Sequence, residues 1–234
     1  MKKKLLLLFT FVLLFFSFTN NKESHSVFVS DEFEYKKLVA FTFDDGPIKE
    51  TTEVLLDGLR LRNVKATFFV LGAQCEEFPD ILKKIAEDGH QIGGHGYNHK
   101  NLPLLKQKEI EEQINKTNEI IESIIGERPK IFRPAYGNYN RKVIKYSEMP
   151  IILWSIDTED WRVRNAQRIY DRYIDKIKDG DIVLFHDKFP SSVEAALMMI
   201  DELKRRGFSF VTIEEMANLK NIELNSFSQY FNFA

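Results

Sequence analysis

From residue 37 onward, short apolar runs rich in β-branched and aromatic residues alternate with longer stretches whose apolar positions recur every three or four residues. The runs at 38–43, 66–71, 91–94, 130–133, 151–156, 181–185 and 208–213 predict strands, and the stretches at 51–62, 80–87, 106–125, 141–147, 166–178 and 193–205 predict helices. In 106–125, Ile110, Ile114, Ile120, Ile121, Ile124 and Ile125 are separated by charged residues, the pattern of a helix laid on a sheet. Alternating strands and helices, with strands apolar throughout, predict a parallel sheet covered by helices. Seven strands are enough to close on themselves, and no glycine-rich nucleotide fingerprint follows the first. The expected fold is therefore α/β, a distorted (β/α) barrel of about seven parallel strands.

The segment ahead of this pattern reads differently. Lys2, Lys3 and Lys4 precede an apolar run at 5–18, the order of charge and hydrophobicity found in export signals. As a helix that run reaches roughly 21 Å, short of a hydrocarbon core of ~30 Å. Residues 1–20 are expected to be a signal peptide or an N-terminal membrane anchor, and 21–36 a polar spacer. The catalytic domain is expected at 37–220, and 221–234 is an aromatic C-terminal tail that either covers a barrel end or contacts the envelope. The protein is expected to be exported, secreted or held at the cell surface, with membrane contact through the N-terminal segment only.

Composition narrows the chemistry. The formal net charge is −2, and loss of the three leader lysines makes it more negative, which argues against nucleic acid as a partner. One cysteine, Cys75, allows no intramolecular disulfide and no thiolate metal cluster. Nothing in the sequence sets an oligomeric state.

Residues of catalytic type collect where the predicted strands end: Asp44 and Asp45, His95, Arg133, Asp157 and Asp160, and His186. In a parallel barrel those ends converge on one face. Each taken singly also fits a cap, a turn or a structural ion pair, and Asp44-Asp45-Gly46-Pro47 is turn chemistry in its own right. His95 and His99, four apart, are expected on one side of a single helical turn, where two imidazoles could share a metal. One carboxylate from Asp44-Asp45 would complete a two-His, one-Asp set with positions left for water and substrate. Zn²⁺ is the expected ion, and Co²⁺, Fe²⁺ or Ni²⁺ suit the same donors. Adjacent aspartates on an extended chain point apart, which suits them to two roles.

Five segments in order carry a resemblance: Thr42-Phe43-Asp44-Asp45-Gly46-Pro47, His95-Gly96-Tyr97-Asn98-His99, Arg133-Pro134-Ala135-Tyr136-Gly137, Asp157-Thr158-Glu159-Asp160-Trp161 and Leu184-Phe185-His186. They resemble the motifs of the polysaccharide deacetylases, the NodB-homology or carbohydrate esterase 4 family, over about 37–213. The resemblance implies a NodB-type barrel in which Asp45, His95 and His99 bind the metal and Asp44 is the general base. It also implies that Arg133 holds Asp44, Asp160 orients His186 as general acid, the Tyr136 backbone N–H helps stabilise the oxyanion, and Trp161 and Leu184 line the acetyl-methyl slot. Ala135 stands where the third motif often has proline. The implied activity is removal of N-acetyl groups from N-acetylglucosamine-type residues of an envelope polysaccharide, peptidoglycan first and chitin-type oligomers second. An O-acetyl polysaccharide esterase, such as one acting on acetyl-xylan, and a non-catalytic glycan-binding relative are the alternatives.

Overall fold

Strand β1 (Lys37–Asp44) runs through the middle of the sheet, and its alternation decides what each face holds. Val39, Phe41 and Phe43 enter the large cluster shared with the helices, whereas Leu38 and Ala40 enter a second cluster on the opposite face. Thr42 and Asp44 have the parity of Leu38 and Ala40, and both accept hydrogen bonds from Arg133. The barrel interior is thus apolar at the strand starts and polar at the strand ends.

The computed structural model describes residues 37–234; the expected leader at 1–20 and spacer at 21–36 lie outside the described residues. After β1 come α1 (Lys49–Arg62), β2 (Thr67–Val70), α2 (Gly72–Glu77), α3 (Pro79–Glu87) and β3 (Gln91–Gly94). Then follow α4 (Gln107–Ile125), α5 (Arg141–Ser147), β4 (Ile151–Ile152), β5 (Ile156–Asp157), α6 (Asp160–Val163) and α7 (Ala166–Tyr173). The chain finishes with β6 (Asp181–His186), α8 (Pro190–Arg205), β7 (Phe208–Phe210), α9 (Ile213–Leu219) and β8 (Gln229–Tyr230). The main sheet is parallel in the order β3-β2-β1-β6-β5, with β7 paired to the start of β1.

Several elements differ from expectation for identifiable reasons. The strand expected at 130–133 reduces to single bridges from Phe132 to Gly94 and to Ile151, because Pro129 and Pro134 bracket it and supply no N–H donors. The strand expected at 151–156 splits into β4 and β5. Its first part pairs with β8, and at Ser155 the partner changes, the N–H donating to Ile182 O at 3.0 Å. The strand expected at 208–213 stops at Phe210, since Thr212 caps α9 in a reciprocal capping box with Glu215. Helix α7 ends at Tyr173, short of 178. Helices α2, α6 and α9 and strand β8 had no counterpart in the sequence reading. Pairing is a ladder on one side and single bridges on the other, a distorted barrel.

The C-terminal tail belongs to this architecture. Phe233 is buried in the inner cluster with Leu38, Ile152 and Ile182, and its N–H donates to Gly180 O at 2.8 Å. The tail covers the barrel at the starts of its strands, at the opposite end from the polar residues. Helix α4 lays buried Ile110, Ile114 and Ile121 inward and stops at Gly126, whose φ of 79° is a left-handed C-cap. Among the described residues no helix is long and apolar enough to cross a membrane.

Candidate metal and catalytic site

The polar end of the barrel gathers the aspartates and histidines into one cleft of about 410 Å³. His95 leaves the end of β3, and the chain from there to His99 is a loop rather than the expected helical turn. Left-handed backbone at Gly96 (φ 84°) and His99 (φ 58°) folds that loop back, so the two imidazoles face each other with ring centroids 5.2 Å apart. The i,i+4 spacing brings the rings together by a tight loop. The adjacent aspartates also depart from expectation. Asp45 has a φ of 78°, and this turn lets both carboxylates approach the same imidazole instead of pointing apart. Asp44 Oδ2 lies 3.7 Å and Asp45 Oδ1 3.5 Å from His95 Nε2.

The donor set fits a divalent ion. Asp45 Oδ1, His95 Nε2 and His99 Nε2 lie within 4.8 Å of one another, and Asp45 Oδ1 is buried with no hydrogen-bond partner. An unpartnered buried carboxylate oxygen is costly unless a cation answers it. His95 Nδ1 sits 2.7 Å from Arg133 O; donation there leaves Nε2 with its lone pair facing the site. Burial lowers the His99 pKa and favours the neutral, ligating imidazole.

Arg133 is fully buried and makes four hydrogen bonds. Its Nη1 donates to Asp44 Oδ1 at 2.7 Å and Thr42 Oγ1 at 2.8 Å; Nε and Nη2 donate to Ile152 O at 3.0 Å and Leu153 O at 2.8 Å. The guanidinium also stacks 4.0 Å over the Phe69 ring. Asp44 is thus tied by one oxygen and presents the other to the cleft. Burial lowers the Arg133 pKa, and the Asp44 charge opposes that shift.

His186 closes β6, where parity turns it inward with Ile182 and Leu184. Asp160, fully buried at the start of α6, accepts from the His186 N–H at 2.7 Å and pairs its other oxygen with Nδ1 at 2.8 Å. Burial acts to lower the His186 pKa, but the hydrogen bond and charge of Asp160 outweigh it, so the pKa is raised. The imidazolium is stabilised and its Nε2 is left for the cleft.

Of the ten residues given roles from the sequence, eight line the cleft: Asp44, Asp45, His95, His99, Tyr136, Trp161, Leu184 and His186; Asp157, noted at a strand end but given no role, lines it too. Arg133 and Asp160 stand behind it, each bonded to one of the eight. Tyr136 (60% exposed) has left-handed backbone at φ 62°, and its ring meets His99 edge-on at 4.3 Å. Trp161 is half exposed at the rim.

Sequence reasoning passed over Lys188, Phe189, Trp154 and Arg164, which also line the cleft, and Asp187 beneath it. Lys188 Nζ donates to Asp45 Oδ2. Gly137 (φ 65°) lies so close to Trp154 that a Cβ there would meet its ring at 2.6 Å. Asp187 is fully buried and accepts from Thr52 Oγ1 at 2.5 Å; burial raises its pKa to about 7. A Cβ on Gly46 would meet its carboxylate at 2.2 Å, so Asp187 packs directly under the Asp44-Asp45 turn. The signal for Asp187 and Lys188 was their place directly after His186.

Residues 33–149 match the polysaccharide deacetylase family model. The chain is 39% identical over 185 residues to the peptidoglycan-N-acetylmuramic acid deacetylase PdaC of Bacillus subtilis, covering 79% of this chain and 40% of that one. It is 40% identical over 195 residues to the peptidoglycan-N-acetylglucosamine deacetylase PgdA of Listeria monocytogenes, covering 83% of this chain and 41% of that one. The chain thus spans about two fifths of the length of these relatives. Among solved structures, a family 4 acetyl xylan esterase from Clostridium thermocellum in complex with cobalt superimposes with a TM-score of 0.80 at 32% identity, over 84% of this chain and 98% of the other.

Proposed function

Since this chain belongs to the polysaccharide deacetylase family, we propose that it is a metal-dependent hydrolase removing N-acetyl groups from N-acetylglucosamine-type residues of an envelope polysaccharide, peptidoglycan before chitin-type oligomers. The observation that carries the reading is the convergence of Asp45, His95 and His99 on one point, with a tethered carboxylate and a carboxylate-bonded imidazole beside it.

An acetamide is a weak electrophile with a very poor leaving group, so its hydrolysis needs an activated water, oxyanion stabilisation and a proton for the departing nitrogen. Asp45 Oδ1, His95 Nε2 and His99 Nε2 would hold the ion, Zn²⁺ foremost among Co²⁺, Fe²⁺ and Ni²⁺. When bound, it supplies Lewis-acid polarisation of the acetyl carbonyl and acidifies water. Asp44, fixed by Arg133, takes the water proton on Oδ2 as the oxygen attacks the carbonyl carbon. The Tyr136 backbone N–H serves the oxyanion. His186, kept protonated and oriented by Asp160, gives its Nε2 proton to the nitrogen as the C–N bond breaks, leaving acetate and a free amine. Leu184 and Trp161 offer apolar surface to the acetyl methyl.

Residues 1–20 serve as the export signal or anchor and 21–36 as the spacer, delivering the catalytic domain at 37–220 and its tail to the wall, where the relatives' named substrate lies. The esterase likeness favours one second reading, an O-acetyl substrate, whose alkoxide leaves with less help from His186. Acetate release from peptidoglycan, N-acetylglucosamine oligomers and acetyl-xylan, each with Zn²⁺ or with chelator, separates them. Zn²⁺-dependent release from the N-acetyl substrates is the expected result, and release from acetyl-xylan alone would move the assignment to an esterase.

A further inference from the structure

The loop from His95 to His99 is gripped from two sides by groups that lie outside the cleft. Its carbonyls at Gly96 and Tyr97 accept from the N–H groups of Gly72 at 3.0 Å and Ala73 at 2.9 Å, the first residues of α2. Its N–H groups at Tyr97 and Asn98 donate to a single acceptor, Gln113 Oε1, at 3.1 and 3.2 Å. Gln113 sits on the face of α4 that buries Ile110, Ile114 and Ile121, and it is itself only 6% exposed. A carboxamide on a buried helix face is costly unless it is hydrogen-bonded, and here its oxygen serves two consecutive N–H groups of the loop. A Cβ on Gly96 would lie 3.7 Å from the same oxygen, so the amide packs against the first left-handed residue of the turn.

The two histidines depend on this loop unequally. His95 is fixed where β3 ends, its N–H donating to Val70 O at 2.9 Å, and its ring is turned by the contact of Nδ1 with Arg133 O at 2.7 Å. The His99 ring makes no hydrogen bond among the described residues, so the backbone leading to it decides where Nε2 points, 3.3 Å from Asp45 Oδ1. That backbone is left-handed at His99 itself, with φ 58°, a conformation that a residue with a side chain holds only where its surroundings impose it.

We propose that Gln113 is the positioning residue for the His99 ligand: its carboxamide oxygen locks the Tyr97 and Asn98 N–H groups, so that His99 Nε2 stands in place beside Asp45 and His95 before an ion arrives. The inference rests on the metal site of the proposed function and adds to it a residue from a helix that none of the five motifs covers. Ligands already in place bind more tightly, because little ordering remains to be done when the ion enters. With the amide oxygen gone, the N–H groups of Tyr97 and Asn98 turn to water and the loop is free to leave its left-handed turn. His99 is then ordered only by the ion, and the ion binds more weakly for it.

The test titrates Zn²⁺ calorimetrically into the full chain, stripped of metal with chelator, for the wild type, Q113M, Q113N, Q113E and T117V. Methionine keeps the reach of the side chain without its oxygen, asparagine keeps the carboxamide but draws it back by one methylene, and glutamate keeps an acceptor oxygen. Thr117 lies on the same buried face, and its hydroxyl donates to the Gln113 carbonyl at 2.8 Å and not to the loop, so T117V disturbs α4 while leaving the clamp intact. Groups that orient metal ligands from behind are worth about 10–100-fold in affinity; Gln113 acts through the backbone, so Q113M and Q113N are expected to raise the Zn²⁺ Kd by about tenfold. Q113E is expected to return it toward the wild-type value, and T117V to leave it unchanged. Melts in chelator establish that each chain is folded at the titration temperature, and if Q113M is not, Q113N carries the comparison. A merely structural Gln113 would lower the melting midpoint and leave the Kd of the folded chain as it was. A wild-type Kd in Q113N, or an equal rise in T117V, overturns the inference while the metal site stands. Failure of the wild-type chain to bind Zn²⁺ would remove the metal site itself, and the inference with it.

Discussion

Replacing Arg133 with methionine keeps much of the side chain's volume and removes its charge and all four of its hydrogen bonds. Asp44 is then left buried beside His95 without its counter-ion, and the carbonyls of Ile152 and Leu153 lose their donors. Breaking a buried ion pair from one side costs about 3–5 kcal/mol, and each orphaned buried acceptor about 1–3 kcal/mol. Set against a total stability of roughly 5–15 kcal/mol for a domain, R133M is expected to fall close to the unfolding threshold. Asp44→Asn in the R133M background removes the uncompensated charge, so the double variant should be more stable than R133M by about 2 kcal/mol or more, even though D44N on its own is destabilising. Urea unfolding of the four proteins, followed by tryptophan fluorescence in chelator, gives the cycle. Chelator matters because a bound ion would otherwise stabilise the folded state through Asp45 and the histidines. Additive effects, with the double variant as unstable as the sum of the singles, would refute the account of Arg133 as a counter-ion held for Asp44.

Asp160→Asn removes the charge that raises the His186 pKa, so the alkaline limb of the kcat profile should move to lower pH; an unmoved limb would show that another group sets it. His90 is buried with its pKa lowered to about 4 by burial, so the unfolded chain takes up a proton near 6.5 before the folded one does. Stability should therefore fall by up to about 3 kcal/mol as pH drops from about 6.5 to 4. His90→Gln should flatten that decline in thermal melts, and an identical decline in the variant would discard the assignment. Phe233→Ala should cost about 3–5 kcal/mol, as for other buried aromatics, and deletion of 221–234 should cost at least as much in the same melts. A truncated chain as stable as the full one would mean the tail merely rests on the barrel.

The sequence by itself determined the parallel α/β class, since apolar runs of strand length alternate with helical stretches, and it located the chemistry at strand ends. Parity along β1 carries more than was taken from it: Leu38, Ala40, Thr42 and Asp44 share one face, so a step from apolar to polar along the barrel axis was already written in the order of residues. The same rule turns Leu184 and His186 inward together. What the tertiary structure decided depends on distances between segments far apart in sequence and on backbone that leaves the extended region. The positive φ at Asp45 and His99 brings both aspartates and both imidazoles to one point, which no i,i+4 argument supplies. The depth of Arg133 follows from its carbonyl partners at Ile152 and Leu153, two residues with nothing polar in their side chains. The tail's place follows from β8 pairing with β4 and Phe233 filling the inner cluster, because an aromatic segment at a chain end has no periodicity to say which surface it will cover. Local pattern fixes which way a side chain points from its own element, and only packing of the elements fixes what it meets there.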